Sequence, residues 1–203
     1  MASFLIHMCI CDEVNKVIKK DRNKILIGSI APDIAKLIGI DRNITHFGEY
    51  PNFNEKEFLL KYKNNLNDDF VLGYYIHLYT DYLWDKFVIS KIYKDGVLTM
   101  IDGNKIKYDK DICYFLYEDY DTLIDDIINE YHIDLKFLKE ELPQISNIIK
   151  EVPIDKLNIV VDKTYEVINK KNKSKLNVLN MDLLNEFINY SVNKMIYKID
   201  KIA

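Results

Sequence analysis

Residues 67–92, NDDFVLGYYIHLYTDYLWDKFVISKI, decide the fold. Asn67 reads as an N-cap, and Asp68 and Asp69 stand where the positive end of a helix dipole favours carboxylates. Val71, Leu72, Tyr75, Leu78, Tyr79, Tyr82 and Leu83 recur three and four apart. That spacing predicts one long helix from about Asp68 to Ile92 with a single apolar stripe. Toward the N-terminus, Ser3 caps a first helix that ends near Lys20, where Asp21-Arg22-Asn23 breaks it. A second apolar stretch, Ile25 to Ile30, runs into Ala31-Pro32-Asp33, and Pro32 forces a bend by disfavouring helical geometry at Ala31. Ile34 to Ile38 continues to a stop at Gly39. Residues 40–53 read as a loop, and Asn54 as the cap of a short helix reaching Lys63.

On the other side, Asp102-Gly103 flanked by β-formers predicts a small hairpin over residues 97–108. Helices are then expected at about 111–131, 134–141, 144–150, 155–168 and 178–201, punctuated by Pro143 and Pro153. Residues 169–175, NKKNKSK, read as a polar connector. The fold class is therefore all-α: a compact multi-helix bundle with one small β-hairpin, forming a single domain over residues 1–203.

Composition agrees. The chain has 203 residues, 48% hydrophobic and 30% charged, enough to bury a core. Six Gly and four Pro are about half the usual share, which disfavours turn-dense sandwiches and barrels. The net charge of −4 argues against a nucleic-acid partner. The negative charge concentrates in residues 101–150, with 12 acidic against 6 basic side chains. Cys9, Cys11 and Cys113 are too few and too odd in number for a disulfide framework and read as reduced thiols. The N-terminus lacks a basic leader pattern, and no apolar run reaches the ~18 residues of a membrane span. A cytoplasmic protein without a transmembrane segment is expected; the sequence leaves the oligomeric state open.

Chemistry concentrates in four histidines, His7, His46, His77 and His132, and their neighbours. His77 and Asp81 are four apart on the strongest helix, so both side chains share one face and can grip one metal ion. Asp85 lies another turn along. Gly73, four residues before His77, permits close approach of another backbone. Each feature has a plainer explanation. A His-x-x-x-Asp pair is often only hydrogen-bonded, His7 in an apolar run is often a satisfied core residue, and Asp33 after Pro32 suits a turn. No phosphate loop of the GxGxxG or GxxxxGK[ST] kind and no GxSxG elbow occurs, which excludes those nucleotide-binding and serine-hydrolase folds.

Taken together, His7, then Gly28-Ser-Ile-Ala-Pro-Asp33, then His46-Phe47, then Gly73-Tyr-Tyr-Ile-His77-Leu-Tyr-Thr-Asp81 resembles the bacterial zinc-dependent phospholipase C family. The same helical superfamily includes single-strand-specific zinc nucleases. The resemblance covers about residues 1–90 and implies a helical bundle of that type carrying two Zn²⁺ ions. It implies that Asp33, His46 and His77 hold one zinc and that Asp81 bridges to another held by His7. Asp33 or Asp85 would serve as general base in hydrolysis of a phosphoester or phospholipid head group. The family's mature N-terminal Trp is absent, since Trp84 is the sole tryptophan. A later His with a Glu four residues on is also missing, since Lys136 follows His132 at that spacing. His132 reads as a helix C-terminal residue. Asp119, Asp121 and Asp125 in the acidic segment offer carboxylates for a rebuilt third site, which would favour Mn²⁺ or Mg²⁺. An acidic helix face explains them equally. The expected function is a metal-dependent phosphoester hydrolase. The alternatives are a non-catalytic metal-binding protein and a helical interaction module without metal.

Overall fold

A computed structural model describes residues 1–48, 55–170 and 172–202. The chain runs α1 (Phe4–Ile18), α2 (Arg22–Ile30), α3 (Ile34–Ile38), α4 (Arg42–His46), α5 (Glu55–Tyr62) and α6 (Asp69–Trp84). It continues through α7 (Ser90–Ile92), strands β1 (Tyr93–Lys94), β2 (Val97–Thr99) and β3 (Lys105–Lys107), then α8 (Cys113–Tyr131), α9 (Leu157–Ile168) and α10 (Met181–Ile202). The all-α expectation with a small β element holds.

Helix α6 is the axis of the fold. Its cap is Asp68, not Asn67: one carboxylate oxygen accepts from the amides of Phe70 and Val71, at 3.0 and 3.1 Å. The other oxygen accepts from the Ser146 hydroxyl at 2.6 Å, which ties residues 144–150 to the start of α6. The expected single stripe is also corrected. Phe70 to Asp81 are buried without a break, and Tyr82 is the exposed exception before Leu83 and Trp84. A helix apolar on all sides belongs in the middle of a bundle. Here α1, α2, α5 and α10 surround it. The helix does not run unbroken to Ile92; a π-helical turn, Asp85–Ile89, separates α6 from α7.

The Ser3 cap and the Gly39 stop form as expected, and Asp21, read as a breaker, caps α2. The Ser3 hydroxyl accepts from the Ile6 amide at 3.4 Å, and Asp21 caps α2 through the Asn23 and Lys24 amides. Gly39 ends α3 at φ 71°, where a side chain would be strained. Residues 40–48 are not the plain loop expected, because Asp41 caps the short helix α4. The expected cap at Asn54 lies outside the described residues. Residues 134–141 shrink to a 3₁₀ turn at Lys136–Lys139, and the expected helix over 144–150 is absent. That run is too short to nucleate alone. Its polar groups bond outward instead, Ser146 to Asp68 and the Lys150 amide to the Tyr62 hydroxyl.

The hairpin forms around Asp102-Gly103, with Val97, Leu98 and Thr99 opposite Lys107, Ile106 and Lys105. A third strand joins it: Tyr93 and Lys94 pair with Leu98 and Val97. Asp95 and Gly96 make that second turn with φ of 51° and 75°, the left-handed pair such turns require. None of the described helices is long and apolar enough to cross a membrane.

Candidate metal centre

Two glycines set the geometry. A Cβ on Gly73 would lie 2.0 Å from the Ile25 carbonyl oxygen, and one on Gly28 would lie 2.2 Å from the Phe70 carbonyl oxygen. Neither distance is tolerable, so α2 and α6 cross backbone to backbone because both positions lack side chains. The crossing brings the Ser29 carbonyl within 2.7 Å of His77 Nδ1. It also sets the 3₁₀ turn Ala31–Asp33 beside the histidine.

Five residues converge there. His77 and Asp81 face the same way from α6, with Nε2 and Oδ2 3.7 Å apart. His7 on α1 stacks on His77 at 3.8 Å between ring centres, its Nε2 3.4 Å from Asp81 Oδ1. His46 at the end of α4 meets His77 edge-on. Its Nε2 lies 3.6 Å from Asp33 Oδ1 and 3.8 Å from Asp81 Oδ2. Among the described residues these form two candidate triads, His7–His77–Asp81 and Asp33–His46–His77, whose ligand atoms lie within 4.8 Å of one another. His7, His46, His77 and Asp81 are buried; Asp33 is half-buried.

The protonation states follow from the hydrogen bonds. His77 Nδ1 faces a carbonyl oxygen, which can only accept, so Nδ1 carries the hydrogen. His46 Nδ1 faces the Arg42 carbonyl at 3.2 Å and Thr45 Oγ1 at 3.0 Å. The Thr45 hydroxyl donates to the Pro32 carbonyl at 2.8 Å, which leaves its oxygen to accept from His46. Both neutral rings therefore carry their lone pairs on Nε2. Those two Nε2 atoms lie 3.2 Å apart. Two lone pairs at that distance repel unless a proton or a metal cation lies between them. Burial opposes the proton: it pushes the His46 imidazole below its ordinary value and is the largest cause that holds His77 down to about 3. Burial pushes the Asp33 and Asp81 carboxyls up, but their histidine neighbours outweigh it and hold both well below the usual carboxylate range. The cluster is thus two anionic carboxylates and converging neutral imidazoles, a donor set suited to a divalent ion.

His7 adds a second observation. It is fully buried, and among the described residues neither ring nitrogen has a hydrogen-bond partner. An imidazole so placed is costly unless a nitrogen serves as a ligand. The two triads are not independent, however. His77 belongs to both and has one lone pair, so it can serve one ion. Asp33, His46 and His77 make one three-donor set, with Asp81 Oδ2 3.8 and 3.7 Å from the two histidine nitrogens, while His7 and Asp81 Oδ1 make a partial one. The carboxylate of Asp81 is held between them by the Arg42 guanidinium, 2.8 Å from Oδ2, and by the Ala2 amide, 3.2 Å from Oδ1.

Sequence reasoning missed Ala2, Ser29, Arg42 and Thr45. Arg42 carried a faint signal, standing one helical turn before His46. The Ser29 carbonyl and the Ala2 amide carried none, because backbone groups leave no trace in residue identity.

Other expected site residues lie elsewhere. Asp85 belongs to neither triad; its carboxylate lies 3.5 Å from Lys86 Nζ in the π-helical turn. Among the described residues, Asp119, Asp121 and Asp125 do not gather into a ligand group. Asp119 is buried and accepts from the amides of Asn177, Val178 and Leu179 at 2.7, 2.7 and 2.8 Å, which pins the approach to α10. Asp121 pairs with Lys170 at 2.8 Å, and Asp125 is exposed. Asp119 and Asp121, two positions apart, face different sides of α8, so the first turns into the core and the second to solvent. His132 is the left-handed C-cap of α8 and is exposed. Cys9 and Cys11 are buried free thiols, and burial pushes both well up.

Comparison with protein-family models, curated proteins and solved structures finds no match. The chain is a helical protein with a buried histidine–carboxylate cluster that could hold a metal ion.

Proposed function

We propose that this protein is a metal-dependent phosphoester hydrolase, similar to the zinc-dependent phospholipase C family in its site. One observation carries the metal reading: His46 Nε2 and His77 Nε2 face each other at 3.2 Å, while the oxygen partners at each Nδ1 assign the ring hydrogens there. Asp33, His46, His77 and Asp81 would hold one ion, and His7 with the second oxygen of Asp81 would hold another. The mixed nitrogen and oxygen donors suit Zn²⁺ first, with Mn²⁺ the harder alternative. Such an ion supplies Lewis-acid activation of a phosphoryl oxygen and of water.

The chain's own residues do the positioning. The Ser29 carbonyl and Thr45 hydroxyl fix the tautomers of His77 and His46. Arg42 and Ala2 orient Asp81. Asp33, the half-buried member, stands where a water proton could be accepted. Asp85 is the less suited base, since it lies outside both triads. The chosen test is elemental analysis of the purified protein and of His77→Ala, followed by turnover of bis(4-nitrophenyl) phosphate and 4-nitrophenyl phosphate. Bound ion lost in the variant, with turnover that follows occupancy, supports the reading. Protein that holds no ion after incubation with zinc or manganese overturns it.

The burial of four of the five cluster residues favours a second reading, a structural ion without turnover. Full metal occupancy with no hydrolysis of either compound would select it.

A further inference from the structure

The cluster reaches solvent in one direction. The Asp33 side chain is 13% exposed, while those of His7, His46, His77 and Asp81 are at 0%. Asp33 also lines a cleft of about 350 Å³, a volume suited to a small molecule. Phe4, Leu37 and Tyr120 contribute apolar wall to it. Three lysines line it as well, but they are not equivalent. Lys163 and Lys170 are already paired, with Glu166 at 2.9 Å and Asp121 at 2.8 Å. Lys36 is exposed, and its ammonium bonds the Tyr117 hydroxyl at 3.5 Å. Among the described residues its ammonium has no salt bridge, and Asp111 is the acidic group near enough for the two charges to interact. Lys36 follows Asp33 by three positions, a spacing that puts both on one side of the α3 turn.

We propose that this cleft receives the ester group of the substrate, and that the substrate class is a small phosphoester whose apolar or aromatic leaving group carries a second anionic group that pairs with Lys36. The proposal rests on the phosphoester reading above. The metal-binding carboxylate at the inner end would meet the phosphoryl group, the apolar wall the body of the leaving group, and the ammonium its far charge. A leaving group with a cation at that far end would be repelled.

The test compares phenyl phosphate with 4-carboxyphenyl phosphate on the metal-loaded protein, wild type against Lys36→Gln and Lys36→Glu. Lys36 is exposed, so both variants should fold. The wild type should prefer the carboxylated compound in kcat/KM by about fivefold, the scale of one partly exposed ion pair. Lys36→Gln should bring the ratio near one, and Lys36→Glu below one. A substitution that merely disturbed the structure would lower both compounds together and leave the ratio unchanged. An unchanged ratio, or a wild type without preference, overturns the proposal. If neither compound is turned over, the hydrolase reading falls separately, and calorimetric titration of both compounds into the protein as purified decides the cleft. A binding preference that Lys36→Gln removes supports it; equal affinities overturn it.

Discussion

Gly73→Ala should loosen the fold and the metal centre together. The added Cβ would meet the Ile25 carbonyl oxygen at 2.0 Å and its carbon at 2.8 Å. Both are backbone atoms, so no rotamer change relieves the overlap. Restoring ordinary contact requires α2 and α6 to part by roughly 1.5 Å. The Ser29 carbonyl travels with α2, so its 2.7 Å bond to His77 Nδ1 would stretch beyond hydrogen-bonding range. Overpacking of this kind costs about 3 kcal/mol, offset by about 1 kcal/mol from the better helix propensity of alanine. The net loss of about 2 kcal/mol should lower Tm by about 4–8 °C for a chain of this size. Freeing the His77 ring should also weaken metal affinity by about 10–100-fold. Thermal unfolding in chelator isolates the first effect, and zinc titration against a competing chelator reads the second. A Gly73→Ala protein with wild-type Tm and wild-type zinc affinity would refute the view that this helix crossing builds the site.

Asp81→Ala should release more metal than any other single ligand change, because both of its oxygens face histidine nitrogens; full metal content in that variant would remove Asp81 from the centre. Asp119→Ala should cost about 3 kcal/mol by stripping its acceptors from the backbone before α10. Its metal content should nevertheless match wild type, and a lost ion would reveal a third site. The metal-free protein should lose stability as pH falls from about 6.5 toward 3, since the unfolded chain takes up a proton there that folded His77 refuses. His77 alone accounts for about 2 kcal/mol between pH 6.5 and 5, readable as a lower urea midpoint at pH 5 in chelator. A midpoint that does not move would mean the histidine is not held neutral.

The helical class, most helix limits and the residues of the cluster were legible before any coordinates. Periodicity and caps are local, so Ser3 and Gly39 could be read where they stand. The misses were where a distant group decided a local outcome. Asp68 displaced Asn67 as a cap while also bonding Ser146. Residues 144–150 failed to form a helix because their partners lie on α5 and at the start of α6. The β1 turn at Asp95-Gly96 was as readable as the one at Asp102-Gly103, but its strands are so short that pairing, not propensity, makes them.

By itself the sequence determined the helical architecture and nominated five side chains, because spacing along a helix and metal-ligand chemistry are properties of residue types. Tertiary structure decided what those side chains are to one another. The crossing at Gly28 and Gly73, the tautomers set by Ser29 and Thr45, the single lone pair of His77 that only one of the two triads can use, and the opening at Asp33 all depend on atoms brought together from distant segments. A chain of letters records side chains and their order. It does not record which carbonyl a folded helix will present to which ring nitrogen, and in this protein that contact sets which nitrogen of His77 faces the cluster.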